Sequence, residues 1–92
     1  MTLRPTWERS SLHDMRRLSE QDRLRVVTAV ERYADIEQGN IVRLQGMTPP
    51  TWRLRVGDYR ALFHTEPAAA DDVDRREWLV VERVLHRREA YR

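Results

Sequence analysis

The stretch Thr51-Trp52-Arg53-Leu54-Arg55-Val56-Gly57-Asp58-Tyr59-Arg60-Ala61-Leu62-Phe63 reads as a β-hairpin. Two alternating runs flank Gly57-Asp58, and glycine at the first turn position supplies the positive φ of a two-residue type II′ turn. That turn fixes a register in which Val56 faces Tyr59, Arg55 faces Arg60, Leu54 faces Ala61, Arg53 faces Leu62 and Trp52 faces Phe63. Side chains alternate with period two, so Trp52, Leu54, Val56, Tyr59, Ala61 and Phe63 share the core side. Arg53, Arg55 and Arg60 gather on the other. Like charges directly opposed, as Arg55 and Arg60 are, destabilise a strand pair by up to about 1 kcal/mol. Departures from local rules of this kind collect at functional sites, which marks the arginine face as a place built for an anion. The plainer reading is a solvated outer face in an arginine-rich chain.

Working outward, Thr2 to Trp7 alternates weakly, with Leu3 and Trp7 apolar and Pro5 unable to donate a ladder hydrogen bond. It predicts a short strand near a sheet edge. Leu12, Met15 and Leu18 recur at helical spacing after Ser10-Ser11, and Ser11 and Asp14 have capping-box-like spacing. A first helix is expected to about Leu18. Ser19 caps a second helix with Glu20 and Asp22 in its first turn, an apolar stripe of Leu24, Val27, Val30, Tyr33 and Ala34, and a stop at Gly39-Asn40. The two form an αα-hairpin covering one face of the sheet. Residues 41 to 46 link it to the sheet, and Met47-Thr48-Pro49-Pro50 leads irregularly into the hairpin. Pro67 to about Glu77 reads as an exposed acidic surface loop. Trp78 to Leu85 has the β-branched richness of a final, buried strand.

Ninety-two residues allow one small domain with one modest core. The net charge is only +2, yet all 17 basic residues are arginine. Arginine suits bidentate phosphate contacts and stacking on bases, although a genome rich in G and C gives the same bias. There is no cysteine, and His13, His64 and His86 lack ligand-pair spacing, so no metal or other cofactor is expected. No apolar run reaches the ~18 residues of a membrane span, and no signal-peptide pattern opens the chain. A cytoplasmic protein without membrane partners is expected.

Leu44-Gln45-Gly46, then Trp52 to Arg60 with Phe63, and finally His86-Arg87 with Tyr91-Arg92, resemble the toxins of the RelE/ParE superfamily, closer to the RelE branch. The resemblance covers most of the chain. It implies an α+β fold in the order β-α-α-β-β-β, a small antiparallel sheet with an N-terminal helix hairpin on one face, as a single domain over residues 1–92. It implies the toxin of a type II toxin–antitoxin pair that cuts mRNA in the ribosomal A site, with a cognate antitoxin, the ribosome and mRNA as partners and operator DNA met only through the antitoxin. A ParE-like inhibitor of DNA gyrase, or a degenerate toxin that only binds its antitoxin, remain alternatives. Carried over by position, Arg53 and Arg55 precede the turn, Arg60 follows it, Arg87 follows the last strand and Tyr91 is the aromatic residue beyond. Arginines stand where the family often has lysines. They stabilise charge but serve poorly as general bases.

Tyr91 suits stacking on a base. Histidine is the only side-chain type in the tail that titrates near neutrality when unperturbed, which makes His86 a candidate acid or base, although strand alternation aims it opposite to Arg87 unless the strand ends between them. Arg87 has a plainer reading as a cation near a helix end. His64 shares the arginine side and reads as a surface histidine. Glu82 reads as the partner of an arginine. Trp7, Trp52 and Trp78 read as core or core-edge packing.

Overall fold

Gly57 sits at φ +58°, and the turn it makes with Asp58 gives the expected register from Val56 opposite Tyr59 to Trp52 opposite Phe63. The structure, a computed structural model, describes residues 2–90. Its elements are β1 (Arg4–Trp7), α1 (Arg9–Arg16), α2 (Glu20–Ile36), β2 (Asn40–Arg43), β3 (Trp52–Val56), β4 (Tyr59–Glu66), β5 (Trp78–His86) and α3 (Arg87–Ala90). The strands form one sheet ordered β1-β5-β4-β3-β2. Met15 and Leu18, with Val26, Val30 and Ala34 of α2, close over Leu54, Ala61, Phe63, Leu79, Val81 and Val84. The α+β architecture with both longer helices on one sheet face is as expected.

Two pairings complete that outline. Asn40–Arg43, taken from the sequence as part of a link, is a mostly exposed edge strand antiparallel to β3. Its four residues are too short to carry a period. β1 runs parallel to β5, Arg4 opposite Trp78 through Trp7 opposite Val81, so the sheet is mixed. Parallel neighbours need a long connection, and everything between these two strands supplies it.

The helix ends moved from their predicted positions. α1 starts at Arg9, with Glu8 as N-cap and no side-chain cap, because Ser11 Oγ donates to the Glu8 carbonyl (2.7 Å) and Asp14 turns toward β5. Ser19 does cap α2, accepting from the Asp22 amide at 3.1 Å. The buried stripe of α2 is Val26, Val30 and Ala34, spaced four apart, while Leu24 lies two residues off that line and is 66% exposed. The helix stops at Ile36 through Glu37 at φ 53°, before Gly39. Gly39 serves a steric need instead: a Cβ there would lie 2.8 Å from Leu54 Cδ1.

β5 has its outer edge covered in two parts. β1 pairs with its first half, and where β1 ends α1 takes over. The Glu8 amide donates to the Val81 carbonyl (3.0 Å) and Ser10 Oγ to the Glu82 carbonyl (2.6 Å). Asp14 then accepts from the Val84 amide (2.9 Å) and from Arg83 Nε (2.8 Å). A carboxylate thus occupies the place of a neighbouring strand's carbonyl. Burial opposes its charge, but Arg83 and the Val84 amide outweigh that and hold its pKa below the ordinary carboxylate value. Leu62 faces Arg83 and Phe63 faces Val81, so Glu82 is the extra residue of a β-bulge.

The acidic loop is better tied than a tolerated surface loop would be. Arg4 donates to Asp72 (2.8 Å) and lies 3.8 Å over the Trp78 ring, and Arg76 pairs with Asp74 at 2.6 Å.

Candidate functional site

The hairpin places Arg53 and Arg55 on the face of β3 turned away from the helices, since Leu54 between them fills the core. Arg53 is half-buried and Arg55 exposed. Arg60 lies opposite Arg55 yet is only 5% exposed, with Nη1 donating to the carbonyls of Gly57 (2.8 Å) and Tyr59 (2.9 Å). Those carbonyl dipoles offset the like-charge opposition that the register creates, and they make Arg60 a clamp on the turn as well as a cation on this face.

Arg87 opens α3. Its amide donates to the Asp58 carbonyl (2.7 Å) and its Nε lies 3.8 Å from Asp58 Oδ1, which brings the end of β5 to the hairpin turn. His86 faces the helix side, opposite Tyr59, their rings 5.5 Å apart and near perpendicular at 87°. Strand β5 ends between His86 and Arg87, so the alternation argument stops there. The sheet separates His86 from Arg53 and Arg55. Beside it, burial and then the Asp22 carboxylate raise the pKa of Tyr59. Tyr91 lies outside the described residues.

The arginine face holds one group that the sequence reading undervalued. His64, expected at the surface, is 8% exposed. Its Nδ1 is 2.6 Å from Glu82 Oε2 and its Nε2 2.6 Å from Glu66 Oε2. Glu82 therefore pairs with His64 rather than with an arginine: Leu79 and Val81 fill the core, and alternation sets Glu82 on the opposite face. Burial disfavours the imidazolium, but the bonds to Glu66 and Glu82 prevail and raise the His64 pKa above its ordinary value. His64 and Glu66, two apart on one strand, signalled a shared face with Arg60. Alternation from Leu79 and Val81 gives the face of Glu82, but which β4 residue it meets depends on the long-range pairing of β4 with β5.

On the helix side, a groove of about 660 Å³ runs between α2 and β3, lined among others by Leu24, Ala29 and Leu54 and by Arg25 and Arg32. Among the described residues, no group of three or more His, Cys, Asp or Glu side chains could hold a metal ion.

Arginines gathered on one face suit the binding of an anion. Guanidinium groups stabilise negative charge in place, and the two carboxylates beside the His64 imidazole favour its protonated form.

No protein-family model matches the sequence, and no curated protein does. Solved structures do. A chain of the RelB–RelE antitoxin–toxin complex from Methanococcus jannaschii superposes with a TM-score of 0.65 at 20% identity, over 92% of this chain and 93% of that one. A chain of the archaeal RelE–RelB complex from Pyrococcus horikoshii OT3 gives 0.68 at 16% identity, over 95% and 97%. At such identities the likeness is one of fold, and the fold is that of RelE.

Proposed function

We propose that this chain, built on the RelE fold, is the toxin of a type II toxin–antitoxin pair and cuts mRNA on the ribosome. The observation that carries the reading is the hairpin register, which sets Arg53, Arg55 and Arg60 together on the sheet face that the helices leave uncovered. In the reaction a ribose 2′-oxygen attacks the adjacent phosphorus, leaving a cyclic phosphate and a free 5′-hydroxyl. Charge grows on the phosphoryl oxygens, and preorganised guanidinium groups aimed at it are the expected device, each contributing on the order of 3–4 kcal/mol. Arg53, Arg55 and Arg87 take this role, with Arg60 both holding the turn and adding charge. Tyr91 stacks on a base.

A net charge of +2 is too small for tight generic RNA binding, which scales with phosphates neutralised, so the ribosome positions the message. The cognate antitoxin is the protein partner, and operator DNA is reached through it. The groove, with apolar Leu24, Ala29 and Leu54 beside Arg25 and Arg32, suits an acidic, amphipathic segment of that antitoxin. Among the described residues no helix is long and apolar enough to cross a membrane, which agrees with action in the cytoplasm.

The test is expression of the wild type beside Arg55→Ala, with 5′ ends mapped on translated messages. Arg55 is preferred to Arg60 because its loss leaves the turn clamp intact. Codon-phased cuts that fall about 10²–10³-fold in the variant support the reading. Growth arrest with uncut messages and gyrase-dependent DNA breaks would replace it with the ParE-like alternative, and no arrest at all with the antitoxin-binding one.

A further inference from the structure

We infer that His64 is the general acid of this site, oriented by Glu82 and covered in the resting protein by Glu66. The inference rests on the RNA-cleavage reading above. That reaction needs a proton delivered to the departing 5′-oxygen. Arginine does not give up its proton, and His86 stands across the sheet beside Tyr59.

His64 is on the right face. Arg53 lies opposite Leu62, and His64 is two residues further along β4, so Arg53 and His64 are diagonal neighbours with backbones about 7–8 Å apart. A guanidinium and an imidazole placed diagonally on one face can flank a single phosphodiester. The polar partners are unequal. Glu82, with a 27% exposed side chain, holds Nδ1 at 2.6 Å, as the orienting carboxylate of a catalytic dyad does. Glu66, at the last position of β4, holds Nε2 at 2.6 Å but with 55% of its side chain exposed. It is able to swing into solvent and uncover the Nε2–H.

An ionised carboxylate on each nitrogen favours the doubly protonated ring, which suits it to act as an acid rather than a base. The charged groups placed around it are Glu66 on its own strand, Glu82 from β5 and Arg53 from β3, while Arg83 of β5 is engaged by Asp14. In the step, the 2′-oxygen to phosphorus bond forms as the phosphorus to 5′-oxygen bond breaks. The 2′-hydroxyl proton leaves to water, the 5′-oxygen keeps the bond's electron pair and takes the Nε2 proton, and water then reprotonates the imidazole.

The experiment measures single-turnover cleavage on purified, message-programmed ribosomes across a pH series, with wild type, His64→Gln, Glu82→Gln and Glu66→Gln. The wild-type rate should fall as pH rises through the raised pKa of His64. His64→Gln should lose about 10²–10⁴-fold and lack that alkaline limb. Glu82→Gln should slow cleavage and move the limb to lower pH. Glu66→Gln, which removes the carboxylate on Nε2, should move the limb the same way. A folded His64→Gln with the wild-type rate and limb overturns the assignment. Should that variant not fold, an unmoved limb in Glu66→Gln overturns it. A wild type that leaves messages intact removes the cleavage reading and this inference together, whereas an active wild type with an active His64→Gln removes the inference alone.

Discussion

Asp14 sits 4% exposed between α1 and the edge of β5, taking the Val84 amide and the Arg83 guanidinium on one carboxylate. An asparagine there can still accept from Val84 but turns N–H toward Arg83. With Arg83 about half exposed, Asp14→Asn should cost roughly 2–3 kcal/mol, read by urea unfolding. The folded pKa is depressed, so this stability is complete above the ordinary aspartate pKa and is lost as pH falls from there through the folded value. Asp14→Asn should flatten that acid limb. His64 works in the opposite sense: its raised pKa gives stability that is complete below the ordinary histidine value and fades as pH rises through the folded one. His64→Gln should be less stable at mildly acid pH while losing less stability toward alkaline pH. Neither pairing was legible in the sequence. Asp14 looked like a capping residue and Glu82 like the partner of an arginine, because each depends on a contact across about 70 or 18 positions that no local spacing reports.

At the level of elements, local chemistry did carry through. Gly57-Asp58 set the hairpin, Ser19 capped α2, and the β-branched run from Trp78 became β5. Ser19→Ala should cost about 1 kcal/mol in thermal unfolding, the usual value for a lost N-cap. Gly57→Ala should cost a comparable amount, since an alanine must hold φ +58° with its Cβ 3.2 Å from Arg25 Nη2. Both are expected to retain the fold, checked by circular dichroism. Two features escaped the sequence, each for its own reason. β2 is four residues long, and the bulge at Glu82 shifts the phase of β5, so that Leu79 and Val81 before it and Val84 after it all reach the core. A strict period of two cannot describe that strand. The same phase change carries His86 to the helix side, away from the arginines it was grouped with.

Across the whole molecule, the first strand lies beside the last, with the Asp72 and Asp74 loop fastened to Arg4 at the same edge. Removing the Arg4 head group should therefore loosen the loop and β1 together. Arg4→Ala is expected to raise amide exchange in residues 67–77 and at β1 while leaving the β3–β4 hairpin protected, and uniform protection would contradict this. The parallel register of β1 on β5 also has a meaning in time. A chain made from its N-terminus holds β1 early, but the strand that β1 pairs with comes more than 70 residues later, opposite it at Trp78. Such distant pairing is slow to close and cannot begin until residues 78–86 are out. Until then the strand bearing His64 lacks Glu82 beside it. Under the function proposed above, the pairing of His64 with Glu82 would therefore be completed only after the last strand has been made.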